Sequence, residues 1–177
     1  MILYKLIEWP EHKIIKRLLI FGVILFAIVF PIMNVFFILS GYPVSFLESQ
    51  LSFNGQILKT HYLVTNIDLY RIAQTLDYGY MLSYGLIIFS IALIVGRKFD
   101  KESLWTKMGC IIAFLGLLAA LCDTGENAFI LAMLSNPLGF PDVWAIIHSI
   151  FALIKWILLL VCILWIIIAL VILYIKR

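Results

Sequence analysis

The sequence predicts an all-α integral membrane protein, a four-transmembrane-helix bundle that forms a single domain over residues 1–177. Apolar residues make up 64% of the chain and charged residues only 13%, whereas soluble domains average about half apolar and a quarter charged. Four apolar stretches also exceed the roughly 20 residues that a membrane-spanning helix needs. This composition excludes a soluble globular domain and a nucleic-acid-binding protein.

The first element, residues 1–17, mixes apolar residues with Lys, Glu and His around Trp9 and Pro10. That pattern is typical of a short amphipathic segment on the cytoplasmic membrane surface. The predicted spans follow at about residues 18–40, 72–96, 104–134 and 143–175. Because the last two are longer than a bilayer requires, we expect tilted helices or helix ends that project into water.

The connection between the first two spans, residues 41–71, is long for a compact bundle and carries apolar side chains throughout. Its Asn54-Gly55 pair favours either a hairpin turn or a helix that Asn54 caps and that runs to about Thr65. We expect two short interfacial helices broken near Asn54. They would make this connection partly helical and place it over the outer face of the bundle as a lid.

The distribution of basic residues predicts the orientation, because Lys and Arg are retained on the cytoplasmic side. Of the 13 basic residues, all but Lys59, Arg71 and Lys155 flank the ends predicted to be cytoplasmic. Both termini are therefore expected in the cytoplasm, which agrees with an even number of spans. We expect a multi-pass protein of the plasma or cytoplasmic membrane.

Ionisable residues inside the predicted spans are the candidate functional residues, since a charge in hydrocarbon is costly unless it is paired or hydrated. They are Asp77, Asp123, Glu126, His148 and Lys155. With a rise of about 1.5 Å per residue, the acids, His148 and Asn34 lie about 8 to 13 Å below the outer boundary, in the outer half of the bilayer, and Lys155 lies about 18 Å below it. We expect all four helices to contribute to one polar layer.

Helical spacing predicts that these residues face inward. Tyr80 and Tyr84 continue the face of Asp77, and Asn127 shares the face of Asp123. Three carboxylates against one lysine leave two negative charges uncompensated if all are ionised and His148 is neutral. Compensation would come from a protonated His148, from neutral carboxyls, or from a bound cation such as a proton, a metal ion or an amine.

Several interpretations of the polar layer remain open. In one, the layer is a ligand cavity with Trp144 as an aromatic wall. A metal site would draw on Asp77, Glu126, His148 and His61. An ion pathway is a weaker alternative. The candidate ligand-binding residues are Asn34, Asp77, Tyr80, Tyr84, Asp123, Glu126, Asn127, Trp144, His148 and Lys155.

The leading functional hypothesis is the binding of a lipid or a small amphiphile, cationic ones included, in addition to contact with the bilayer. Its rival is a subunit or assembly partner of another membrane protein, in which Lys155 pairs with Asp123 and the layer only fixes helix register. A second alternative is an intramembrane enzyme, metal-dependent or acid-base, that acts on a lipid through Glu126, Asp77 and His148. No motif identifies a cofactor.

Overall fold

The computed structural model describes the backbone of residues 2–176 and the side chains of residues 5–176. Within this range the chain is all-helical and forms no strand, which confirms the predicted all-helical chain. The helices are α1 (Ile2–Glu8), α2 (His12–Leu39), α3 (Phe46–Gln50), α4 (Gly55–Leu63), α5 (Ile67–Gly96), α6 (Leu104–Ser135) and α7 (Asp142–Ile175).

Four of these helices, α2, α5, α6 and α7, are long and apolar enough to cross a membrane. The predicted third and fourth spans differ from α6 and α7 by one residue. The other two helices begin earlier than predicted, at His12 and Ile67, because polar residues continue each helix ahead of its apolar stretch; a side-chain cap marks the start of α5 but not of α2. At α5 that cap is Asn66, whose side chain accepts a hydrogen bond from the Leu69 N–H.

The long helices alternate in direction and pack in chain order. α2 packs chiefly on α5, α5 on α6, and α6 on α7. Since α2 has its main contact with α5 alone, a gap remains between α2 and α7. We call the end that carries α3 and α4 the lid end, and the end that carries α1 and the last residues of α7 the basic end.

Small residues allow α5 and α6 to approach closely. A Cβ atom on Gly109 would lie 2.8 Å from Gly96 Cα, and one on Gly116 would overlap the Ile88 side chain. Interfaces of this kind are common between membrane helices, because small residues bring backbones into van der Waals contact. The contact between α5 and α6 therefore forms a rigid wall behind the gap.

The connection at the lid end contains two short helices, as predicted. Asn54 caps α4, because its side chain accepts hydrogen bonds from Gln56 N (2.9 Å) and Ile57 N (3.2 Å). The hairpin alternative is therefore not formed. Tight packing supports the lid, since Leu58 is fully buried.

Hydrogen bonds at three levels fasten this lid to α7. The Phe53 N–H donates to Ser149 Oγ at 3.1 Å, and Trp156 Nε1 donates to Gln50 Oε1 at 3.0 Å. Nearer the N-terminus of α7, Asp142 accepts from Lys59 Nζ at 2.7 Å and from the Gln56 side chain. The lid therefore crosses the bundle from the end of α2 to α7.

At the basic end, α1 docks onto the turn between α5 and α6. Arg97 donates to Leu6 O at 2.8 Å and to Pro10 O at 2.7 Å, so its guanidinium satisfies carbonyls at the end of α1. Lys101 also pairs with Glu8 at 2.8 Å on the surface. The N-terminal segment is thus attached to the bundle through polar contacts.

Candidate functional site

The five ionisable residues of the spans form one buried cluster near the lid end. Asp77 on α5 is 8% exposed, Asp123 and Glu126 on α6 are 2% and 1% exposed, and His148 and Lys155 on α7 are 1% and 3% exposed. Burial of charge at this level requires compensation, because each ion loses its hydration. The partners of each group therefore decide what the cluster does.

Lys155 pairs with two carboxylates of α6. Its Nζ lies 2.8 Å from Asp123 Oδ1 and 2.6 Å from Glu126 Oε2. The two acids are three residues apart and so share one helix face, which lets both reach the same ammonium group. Tyr84 donates a further hydrogen bond to Asp123 Oδ2 at 2.9 Å. We call Lys155, Asp123 and Glu126 the buried triad.

His148 and Asn127 extend the polar layer away from the triad. The Nε2 atom of His148 is 3.7 Å from Glu126 Oε1, longer than a hydrogen bond, and it has no hydrogen-bond partner among the described residues. Asn127 Nδ2 donates to the Gln74 carbonyl of α5 at 2.6 Å. Asn127 therefore joins α6 to α5, in the manner of a register-fixing contact.

A cavity of about 270 Å³ fills the gap between α2 and α7, beneath α3. Its polar lining consists of Asn34, Gln50, Asp77, Asp123 and Lys155. Its aromatic lining consists of Phe30, Phe46, Tyr80, Tyr84 and Trp156, with Met33 and Leu159 as the aliphatic remainder. The cavity thus has a charged inner wall and an aromatic rim, which is the usual composition of a small-molecule site.

Asp77 differs from the other carboxylates of the cluster. It lines the cavity, yet it forms no hydrogen bond or ion pair with any side chain or backbone group between residues 5 and 176. Asp123 and Glu126, in contrast, already share Lys155. The cluster therefore separates into a paired triad and one carboxylate that faces open space.

Four of the predicted ligand-binding residues do not line the cavity: Glu126, Asn127, Trp144 and His148. Trp144 packs instead edge-on against Phe129, with 6.4 Å between ring centroids. Sequence reasoning missed Trp156, Phe30, Phe46 and Gln50. Trp156 and Phe30 are 40% and 39% exposed, and nothing in the sequence distinguishes them from the other apolar residues on the outer surfaces of α7 and α2.

The geometry offers no metal centre within the described part of the chain, where no three His, Cys, Asp or Glu side chains are grouped to hold an ion. His61, a candidate from the lid, lies against Tyr42, with 3.4 Å between His61 Nδ1 and the Tyr42 hydroxyl. It therefore belongs to the lid and not to the cluster with Asp77.

Tyrosines hold the lid to the end of α5. Tyr42 stacks on Tyr70 with 4.5 Å between ring centroids, and its hydroxyl is 2.7 Å from Ser49 Oγ. Burial raises the pKa of Tyr42 to about 12 and also raises the pKa of Tyr62. These phenols are therefore neutral hydrogen-bonding groups at physiological pH.

No family model, curated protein or solved structure matches this chain. The class of the protein therefore follows from its own structure. Four apolar helices of spanning length indicate a multi-pass membrane protein, and a buried cluster of acidic residues, lysine and histidine lies within their bundle.

Proposed function

We propose that this protein binds a small cationic amphiphile in the cavity between α2 and α7, with the cationic group of the ligand against Asp77. The observation that carries the proposal is the Asp77 carboxylate itself, which is buried, borders the cavity and has no partner within residues 5–176. A carboxylate in such a place favours a ligand that supplies the missing positive charge.

The charge balance of the cluster supports a cationic ligand. Within the buried triad, one ammonium already faces two carboxylates, so Lys155 has no spare positive charge for Asp77. A monovalent cation beside Asp77 would lower the electrostatic cost of the whole cluster. The surrounding rings of Tyr80, Tyr84 and Trp156 would add cation–π attraction.

The position of the cavity supports an amphiphile over a water-soluble cation. Because α2 and α7 bound the gap, the cavity opens on the flank of the bundle, where exposed rings of Phe30 and Trp156 stand. A volume of about 270 Å³ is below the range of about 300–1,000 Å³ for sites that enclose a whole drug-sized ligand. The headgroup would fill the cavity, and the tail would lie between α2 and α7.

The orientation completes the proposal. Basic residues concentrate at the basic end, which the positive-inside rule assigns to the cytoplasm together with both termini. The lid then lies on the outer side, and the cavity lies in the outer half of the plasma or cytoplasmic membrane.

Binding of three probes that share one chain tests the proposal. Dodecylamine, dodecanol and dodecyl sulfate are titrated onto the protein in lipid nanodiscs, with displacement of a fluorescent alkylamine as the readout. We expect only dodecylamine to compete well. Asp77→Asn is expected to weaken its binding about 10- to 100-fold, the value of a charge-assisted hydrogen bond.

Asp68→Asn is the matched control, because Asp68 lies on the same helix with a side chain that is 88% exposed. It should leave amine binding unchanged. Equal competition by dodecanol, or full amine affinity in Asp77→Asn, would contradict the proposal. A thermal melt of each variant verifies that the fold is retained.

A second candidate function, a subunit or assembly partner of another membrane protein, is favoured by the buried triad. Its two ion pairs are formed within the bundle and join α6 to α7, as in a polar contact that fixes helix packing. The enzyme alternative draws less support, since Glu126 and His148 do not line the cavity and only Asp77 of the three candidates would reach a substrate there.

A further inference from the structure

The basic end carries a second, larger recess that is separate from the cavity. It has a volume of about 680 Å³ and lies between the α5–α6 turn and the last turns of α7. We call it the basic groove. Lys98, Asp100 and Ser103 line it from the turn, and Tyr174 and Lys176 line it from α7.

From this groove we infer a binding site for a phospholipid with an anionic phosphodiester headgroup. Lys98 lines the groove from the α5–α6 turn and Lys176 lines it from the end of α7, and neither forms an ion pair with a described residue. Two ammonium groups that face one recess from different elements are suited to a shared anion. The neighbouring Arg97 is not available, because its guanidinium already binds Leu6 and Pro10.

The rest of the lining points to a lipid and not to a free anion. Trp105 and Tyr174 are aromatic residues of the type that membrane proteins place at the headgroup level. Leu170 and Leu173 continue the groove along α7 toward the apolar part of the helix. A phosphate held by the lysines would thus have its acyl chains directed along a leucine-lined wall.

The net charge of the groove selects among headgroups. Among the described lining residues, Lys98 and Lys176 against Asp100 give a net charge of +1, which matches the single negative charge of a phosphodiester such as phosphatidylglycerol. The Lys176 ammonium also lies 6.0 Å from the centre of the Phe99 ring, so the ring positions it at the groove.

Lipid binding to the delipidated full chain in a nonionic detergent tests this site. Native mass spectrometry measures the affinity for dioleoylphosphatidylglycerol and for dioleoylphosphatidylcholine, with and without millimolar inorganic phosphate. We expect preferential binding of phosphatidylglycerol that inorganic phosphate does not displace. Lys98→Gln combined with Lys176→Gln should weaken it about 30-fold, from about two lysine contacts.

The matched control is Lys13→Gln combined with Lys16→Gln, which changes the net charge equally at exposed positions of α2 outside the groove. It should change the affinity for phosphatidylglycerol by less than about two-fold. For comparison, a free-energy change of about 1.4 kcal/mol changes an affinity ten-fold. Asp100→Asn should strengthen binding, since it removes the one acid among the described residues of the lining.

The inference would be overturned by unchanged affinity in the Lys98/Lys176 variant, by an equal loss in the control variant, or by displacement of the lipid by inorganic phosphate. Equal binding of phosphatidylcholine would do the same. The site does not depend on the cavity at Asp77, so Asp77→Asn should leave this lipid affinity unaltered.

Discussion

Lys155 illustrates how one residue decides the electrostatics of this bundle. It is 3% exposed and holds two carboxylates of α6 at 2.8 and 2.6 Å. Without it, Asp123 and Glu126 would face each other as like charges in a low-dielectric interior. The lysine therefore supplies the counter-charge for both buried acids of α6.

At this scale we predict that Lys155→Met destabilises the protein far more than Glu126→Gln. Removal of the lysine leaves two buried carboxylates without a counter-charge, and loss of one partner of a buried pair costs about 3–5 kcal/mol. Glu126→Gln leaves Lys155 and Asp123 as a neutral pair, so its cost should be smaller. Thermal unfolding in detergent, followed by tryptophan fluorescence, measures both.

A double variant serves as the control for this comparison. Lys155→Met combined with Asp123→Asn removes one buried negative charge together with the lysine, so it should recover part of the lost stability. Similar melting temperatures for Lys155→Met and Glu126→Gln would show that the triad does not stabilise the fold through charge.

At the scale of elements, the lid is held by contacts from both directions. Phe53 and Lys59 donate hydrogen bonds to α7, Gln50 accepts one from Trp156 of α7, and Tyr42 stacks on Tyr70 of α5. The lid thus connects α7 to α5, and both of these helices contribute residues to the cavity. Its stability should govern access to the cavity from the lid end.

We predict that the lid weakens at alkaline pH. Tyr42 keeps its proton in the folded state up to a pKa of about 12, whereas an unfolded tyrosine loses it near pH 10. A raised pKa stabilises the fold below pH 10, and this contribution disappears as the pH rises from about 10 to about 12. Melting temperatures between pH 9 and pH 11.5 should fall less steeply for Tyr42→Phe than for the unaltered protein.

Tyr174→Phe is the appropriate control, since Tyr174 is 80% exposed and lies far along α7 at the basic end. Its melting temperature should follow that of the unaltered protein across the same range. If the melting temperature of Tyr42→Phe fell with pH as steeply as that of the unaltered protein, the buried Tyr42 phenol would not stabilise the lid.

At the scale of the whole molecule, the packing order creates the cavity. α5 and α6 approach closely through Gly96 and Gly109, and α2 and α7 flank them without closing the gap between themselves. The cavity opens on the side of the bundle between α2 and α7, which is the side that a ligand dissolved in a membrane would reach. The lid and the basic groove then occupy opposite ends of the same bundle.

The topology is tested with single cysteines at the two ends. We expect Leu63→Cys, at a 65% exposed position of the lid, to react with a membrane-impermeant thiol reagent on intact cells. Glu102→Cys, at an exposed position of the α5–α6 turn, should react only after permeabilisation. The opposite pattern would reverse the proposed orientation. The unaltered protein, whose three cysteines all lie within α6 and α7, is the control.

The sequence by itself determined the helical class, the approximate bounds of the long helices and the presence of a shared polar layer. These follow from local information, because apolar length and helical spacing are properties of consecutive residues. The cap at Asn54 was equally readable, although the choice between helix and hairpin required the structure.

Only the tertiary structure decided which polar groups are paired and which face open space. The pair of Lys155 with Asp123 was one interpretation of the sequence and is formed, whereas the second contact of Lys155, with Glu126, depends on the rotation of α7 against α6. The same rotation brings Trp156 to the cavity and leaves Trp144 outside it. The rotation of one helix against another, and the distance between them, are set by contacts between different helices, such as Gly96 of α5 against Gly109 of α6. A pattern of consecutive residues does not contain that information.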